Sequence, residues 1–234
     1  MGKAFTVMKT TGIYKRIDGK IREVQIDIGE AKQLYKDDFL SVYPKFFFKK
    51  MRKLRGWQGE VGSGIQKEWG IESAIDFGCG SGYYLEGIFN NGAKVKGFEY
   101  AYEHSKEFVS ESMKDFIQFG DVQTDLVDET FDLSMSIEVA EHILPENSLQ
   151  FVKNLSESSS KYVILSAAEL GDKGTGHINC RPFKDWEEML ESCDFYRSKE
   201  ETKKLRKIFK TVRRPSKYSN ILSRKVTFFQ KEGI

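Results

Sequence analysis

The sequence predicts an α/β fold: a mainly parallel sheet with helices on both faces. Three observations carry this. Apolar runs of strand length alternate with helical patterns through most of the 234 residues. One run, Ala74 to Phe77, passes through three alternate glycines, Gly78, Gly80 and Gly82, into a helical pattern with Leu85, Ile88 and Phe89 on one face. Strand, glycine loop and helix in that order is how doubly wound sheets hold nucleotide-like ligands. Two acids, Glu99 and Asp121, then stand at the ends of the next two strand-like runs.

Taken in order, Tyr14–Ile17 and Lys20–Val24 flank Asp18-Gly19, the standard signal for a two-residue hairpin. A flap over a pocket mouth is the expectation. Residues 31–56 read as helix in two pieces split near Pro44. The second piece interleaves Tyr43, Phe46, Phe47 and Phe48 with Lys45, Lys49, Lys50, Arg52, Lys53 and Arg55. Either the aromatics pack on the core and the charges are solvated, or the face is a basic surface for an anionic substrate or nucleic acid. Gly62 to Trp69 continues as helix, with Gly70 placed to cap it. Residues 1–60 are therefore expected to form a hairpin and helical extension acting as cap or lid, and 61–234 the main domain.

The glycine loop reads D-x-G-x-G-x-G, with Asp76 ahead of the first glycine. A dinucleotide fingerprint, G-x-G-x-x-G, cradles pyrophosphate; a carboxylate at Asp76 repels phosphate and suits a cationic amine. Lys94–Glu99 is the second strand, and Glu99 is placed to accept hydrogen bonds from ribose hydroxyls. Tyr100 either lies against a base or packs in the core. Ser105 to Met113 reads as helix, Asp115–Phe119 as the third strand ending at Gly120-Asp121-Val122, and Phe131–Ile137 as the fourth. Helix over 148–155, strand over 161–166, a glycine-rich loop over 171–182, helices over 183–193 and 199–213, and a closing strand over 226–230 complete the reading.

The loop Asp76 to Gly82, Glu99, Gly120-Asp121 and the run Phe131 to Ile143 together resemble class I S-adenosylmethionine (SAM)-dependent methyltransferases, of the type-11, type-23 and UbiG-like domain kind, over residues 65–232. The resemblance implies a Rossmann-like seven-stranded sheet in the order 3-2-1-4-5-7-6 with the last strand antiparallel. It implies that Asp76, Phe77, Gly78, Cys79, Gly80 and Gly82 hold the methionine part of SAM, Glu99 the ribose, and Asp121 the adenine. Tyr100, Val122 and Ile137 complete the cofactor site. The expected activity is in-line methyl transfer to a hydroxyl or amine of a small molecule or glycan, with His142, Glu138 and His177 as candidate catalytic residues. The segment Glu138, Glu141, His142 also resembles the E-x-x-E-H of small-RNA 3′-terminal 2′-O-methyltransferases. That likeness implies a divalent ion, Mg²⁺ or Mn²⁺, on Glu138, Glu141, His142 and His177, all on one side if the chain is helical there. RNA 2′-O-methylation and a non-catalytic SAM-binding or partner-binding module are the alternatives.

Composition narrows these classes. Net charge is +2, yet residues 199–234 carry 12 basic against 3 acidic side chains, so an anionic partner, nucleic acid included, is expected at the C-terminal segment if anywhere. Three cysteines without a C-x-x-C pair suggest neither a disulfide framework nor a zinc knuckle and fit a reduced, cytoplasmic setting. No apolar run approaches ~18 residues and no signal-peptide pattern opens the chain, so no membrane partner is expected. Ser136-Ile137-Glu138-Val139 lacks the Asn/Asp-Pro-Pro-aromatic pattern of base-amine methylases, and no Pro-Cys pair exists for cytosine-C5 chemistry.

Overall fold

A computed structural model describes residues 9–234, except Gly19, Leu126 and 212–216. Seven strands form the central sheet: β3 (Ser73–Phe77), β4 (Lys94–Glu99), β5 (Ile117–Phe119), β6 (Phe131–Ile137), β7 (Ser159–Ser166), β8 (Phe195–Arg197) and β9 (Thr227–Lys231). Their spatial order is β5-β4-β3-β6-β7-β9-β8. Counted from β3, this is 3-2-1-4-5-7-6. The first five strands pair in parallel, and β9 runs antiparallel to both β7 and β8. Chain direction across the sheet reverses between β3 and β6, and in open α/β sheets ligands bind in the crevice at the C-terminal ends of such strands.

Neighbouring residues of a strand point to opposite faces, and the core divides accordingly. Ala74, Met135 and Ile164 face α4 (Arg55–Trp69), α5 (Tyr83–Phe89) and α9 (Lys199–Thr211) through Val61, Ile65, Leu85, Leu205 and Phe209. Ile75, Phe77, Val163 and Leu165 face α7 (Ser148–Glu157) and α8 (Phe183–Glu191) through Phe151, Leu155, Trp186 and Leu190. A third cluster belongs to the N-terminal segment. There Ile13, Ile26, Ala31, Tyr35, Val42, Tyr43 and Phe48 pack on Ala101, Leu144 and Ile178 at the C-terminal edge of the sheet.

The N-terminal segment departs from the sequence reading in detail. The hairpin pairs β1 (Thr10–Ile17) with β2 (Lys20–Asp27), longer than expected; Asp18 has φ +49°, as the turn requires, while Gly19 lies outside the described residues. Helix begins at α1 (Ile28–Asp37), because the Asp27 carboxylate accepts from the Gly29 amide at 2.7 Å. It breaks at Asp38, resumes as α2 (Phe39–Val42), breaks again at Pro44, and continues through α3 (Lys45–Met51) and a 3₁₀ turn into α4. Residue 60, the expected domain boundary, therefore falls inside one continuous helix.

The single helix expected over 105–113 is instead α6 (Tyr102–Ser105) followed by two 3₁₀ turns, interrupted where Val109 and Ser110 are extended. Ser105, Val109 and Met113 are all buried at a spacing of four, so the burial is helical in period although the backbone is not. The short β8 and α10 (Lys217–Lys225) escaped the sequence reading. Of the helix expected to 213, the last two positions lie outside the described residues. Among the described residues no helix is long and apolar enough to cross a membrane.

Candidate active site

A cavity of about 630 Å³ opens at the C-terminal edge of the sheet. Its lining includes Asp76, Gly78, Cys79, Gly80, Glu99, Tyr100, Asp121, Val122 and Ile137 on one side and Glu138, Glu141, His142 and His177 on the other. Of the expected cofactor residues, Phe77 and Gly82 do not line it. Phe77 is buried against Phe98 in the core, and Gly82 serves the turn.

The first side is built by local geometry. Gly78, Gly80 and Gly82 have φ of +78°, +58° and +73°, values that L side chains rarely adopt. A Cβ on Gly82 would also overlap the Ile117 side chain beneath, whereas a Cβ on Gly80 would meet no protein atom within 4 Å. Gly80 faces open cavity, so a side chain there would fill ligand space. Glu99 knits the loop to the second strand: one oxygen accepts from the Gly80 amide and the other from Ala101, each at 2.8 Å. Burial still raises its pKa, and it raises Asp76 well above the usual carboxylate range, with the Glu99 charge adding to the effect. Two buried acids side by side favour a proton or another cation between them. Asp121 accepts from the Gln123 amide at 2.9 Å, which closes the turn after β5.

The second side is built from distant segments. The chain after β6 is not an α-helix. Glu138 sits at φ +57° and a 3₁₀ turn follows over Ala140–His142. This separates the acids that the i, i+3 spacing was expected to align. Glu138 turns to the Ser166 hydroxyl at 2.8 Å and to the Lys225 ammonium at 3.5 Å, and Lys225 also pairs with Asp172 at 2.9 Å. Glu141 instead goes inward with the two histidines. Its Oε1 lies 4.0 Å from Nε2 of His142 and 3.8 Å from Nε2 of His177. The three residues can each offer a ligand atom within 4.8 Å of the others; Glu138 is not among them.

Hydrogen bonding at the far side of each ring assigns its protons. His142 Nδ1 lies 2.9 Å from the Gly176 carbonyl and 2.8 Å from the Tyr43 hydroxyl. His177 Nδ1 lies 3.3 Å from the Asp172 carbonyl. A carbonyl only accepts, so Nδ1 carries the hydrogen in His142; in His177 the carbonyl at 3.3 Å favours the same form over donation by the Cys180 thiol at 3.6 Å, and each Nε2 then presents a lone pair. Burial lowers both imidazole pKa values, that of His142 to about 3, so both rings are neutral. Glu141 is fully buried, and neither of its oxygens has a hydrogen-bond partner among the described residues. The main-chain amides of Glu141 and Ala168 are near enough to offset part of its burial. Desolvation, with Glu138 nearby, pushes its pKa well up.

Three acceptors therefore converge with no side-chain donor between them among the described residues. A proton on Glu141 does not resolve this, since 3.8–4.0 Å is too long for a hydrogen bond to either ring. Two imidazoles and a carboxylate on one face, each imidazole backed by a carbonyl, suit a divalent cation. The residues thus fit the group that the E-x-x-E-H likeness implies, with Glu138 removed from the set. Sequence reasoning missed Lys225, Ser166, Asp172 and Tyr43. None has a local signal, because each reaches the site from a separate element.

Residues 75–159 match the methyltransferase domain family. No curated protein sequence matches the chain. Among solved structures, the chain superposes on magnesium protoporphyrin IX methyltransferase from Synechocystis PCC 6803 with bound S-adenosylhomocysteine (SAH) at TM-score 0.59 and 14% identity, covering 86% of this chain and 100% of that one. The plantazolicin methyltransferase BpumL, in complex with a monoazolic desmethylPZN analog and SAH, gives 0.56 and 12% over 87% and 94%. Human N-acetylserotonin methyltransferase in complex with SAM gives 0.56 and 14% over 88% and 66%. The family match is confined to residues 75–159, which carry the glycine loop and the strands that follow, and the solved structures share the fold.

Proposed function

We propose that the protein transfers the SAM methyl group to a hydroxyl of a small molecule or glycan, with the acceptor oxygen lodged at Glu141, His142 and His177. The observation that carries this is the convergence of three donor-less acceptor atoms in the wall of the cavity that Asp76, Glu99 and Asp121 also line. The glycine loop and Asp76 take the aminoacid end of the donor. Glu99 keeps lone pairs for ribose hydroxyls beside its two amide partners, and Asp121 with the Val122 amide takes the adenine. Mitomycin 7-O-methyltransferase, at TM-score 0.56 and 12% identity, is a neighbour whose name records oxygen as acceptor, which supports the hydroxyl reading.

In the reaction the acceptor oxygen forms a bond to the methyl carbon, the carbon–sulfur bond breaks, and sulfur keeps the electron pair as SAH. The chain must align the oxygen behind the methyl group and take charge of the hydroxyl proton. A divalent cation held by Glu141, His142 and His177 would lower the hydroxyl pKa there. Without a cation, the same Nε2 lone pairs accept the proton directly. Lys225 holds Glu138 to one side, so that carboxylate borders the acceptor without joining the cluster.

The test is SAH release over pooled small-molecule alcohols, phenols, glycans and RNA, with and without EDTA. Turnover on a hydroxyl pool that Glu141→Ala abolishes supports the proposal. Turnover on amines alone, or on RNA alone, rejects the acceptor class. Full activity in EDTA, lost in His142→Ala, assigns the imidazole as base and rejects the cation.

A further inference from the structure

The N-terminal segment reaches past the cavity mouth to the far side of the acceptor site. Tyr35 comes from α1 and Tyr43 from the link before α3, yet their hydroxyls meet at His142 Nδ1, at 3.2 and 2.8 Å. Both phenols are buried. Each also has a carbonyl to donate to: Tyr35 to Gly176 at 2.7 Å, and Tyr43 to Thr175 at 3.4 Å. With both hydroxyl hydrogens so directed, their oxygens present lone pairs to the ring. The Nδ1 hydrogen is then shared between the Gly176 carbonyl and the Tyr43 oxygen. Reversing the tautomer would set a ring lone pair against the Gly176 carbonyl at 2.9 Å and draw a phenol away from its own acceptor.

We infer that Tyr43, with Tyr35 behind it, is a positioning residue that fixes His142 with Nδ1 protonated and Nε2 presented to Glu141 and His177. The same contacts tie the helical extension to the loop that carries His177. Gly176 also donates its amide to the Gly12 carbonyl of β1 at 2.7 Å, and Thr11 donates to Gly174 at 3.3 Å. The extension is thus a structural part of the acceptor site rather than a detachable flap. The inference needs an unprotonated Nε2 on His142, which the cation and the general-base forms of the proposed function share, so it stands or falls separately from the cation.

Two-bond ¹H–¹⁵N correlation spectra of ¹⁵N-labelled full-length protein read the tautomer directly, and Co²⁺ titration reads the ligand set through its visible spectrum. Tyr43→Phe, Tyr35→Phe and the double variant are compared with the wild type, and unchanged SAH affinity reports that each is folded. The expected wild-type spectrum shows His142 with Nδ1–H. The expected double variant shows mixed tautomers, because the Gly176 carbonyl loses the Tyr35 donor that holds it against Nδ1, and binds Co²⁺ 10–100-fold more weakly, the usual cost of removing partners behind a metal-bound imidazole. Nδ1–H in the wild type, mixed tautomers in the double variant and no Co²⁺ binding by either would uphold the positioning role and reject the cation. Nε2–H in the wild type, or one tautomer unchanged through all three variants, would overturn the inference. A folded double variant with wild-type Co²⁺ affinity would do the same.

Discussion

The two walls of the cavity are made differently. The donor wall comes from three consecutive strand ends, and its acids are held by main-chain amides two to nineteen residues away: Glu99 by Gly80 and Ala101, Asp121 by Gln123. The acceptor wall draws Glu141 and His142 from after β6, His177 from the loop after β7, Lys225 from α10, and Tyr35 and Tyr43 from the extension. On the donor wall, Glu99 and Asp121 each have a main-chain donor, while the raised pKa values of Asp76 and Glu99 mark a site that favours a proton or another cation. The acceptor wall is held in place from behind, and among the described residues no side-chain donor meets the Glu141 carboxyl group. A wall built by backbone geometry specifies a ligand common to a fold. A wall built by long-range side-chain contacts is free to specify a substrate.

That contrast breaks or sharpens under substitution. The largest effect is expected at Glu141. Glu141→Ala should lower SAH release by about 10²–10⁴-fold, the usual range for losing a group that handles the reacting proton, with SAH affinity unchanged by calorimetry. A parallel loss of SAH binding would mean that the two walls are not independent. Gly82→Ala should instead harm the fold. Its positive φ and the overlap with Ile117 predict a loss of about 2–4 kcal/mol in denaturant unfolding. Gly80→Ala, with open space around it, should be milder in stability yet weaken SAH. Equal stability losses for the two glycines would undo that distinction.

Smaller effects follow. Glu99→Ala should weaken SAM by about 1–3 kcal/mol, as ribose hydroxyls lose a charged acceptor and the Gly80 and Ala101 amides lose theirs. Glu141→Gln should raise the unfolding free energy of metal-free protein by about 1 kcal/mol, because its amide adds donor hydrogens among three acceptor atoms. If the same change destabilises the metal-free chain, a donor must serve that carboxylate.

The smallest effect is on pH. Asp76 and Glu99 have raised pKa values, so the folded chain holds protons that the unfolded chain releases. Their contribution to stability is full below the ordinary carboxylate pKa near 4 and is lost as pH rises through the raised values. A cationic donor reverses that loss by pairing with the ionised acids. The thermal shift given by SAM should therefore grow as pH rises above the ordinary carboxylate range, by about 1.4 kcal/mol for each pKa unit that SAM removes. Asp76→Asn should flatten the trend. A SAM shift independent of pH in the wild type would show that neither acid changes charge in that window.

What could be read from the sequence alone is what neighbours in the chain decide. The glycine loop needs Gly78, Gly80 and Gly82 because its backbone turns through positive φ, a constraint that each residue carries itself. Strand and helix periods follow from which way successive side chains point, so Phe131–Ile137 was legible to the residue. The E-x-x-E-H spacing was also visible, but its meaning was not. The backbone at Glu138 turns left-handed where its neighbours do not, and this sends Glu138 to Lys225 and Glu141 to the histidines. That choice, the tautomer of His142 and the entry of Tyr35 and Tyr43 depend on contacts 28 to 141 residues apart in the chain. No local propensity encodes such pairs. They are decided when burial leaves a polar atom only those partners within reach.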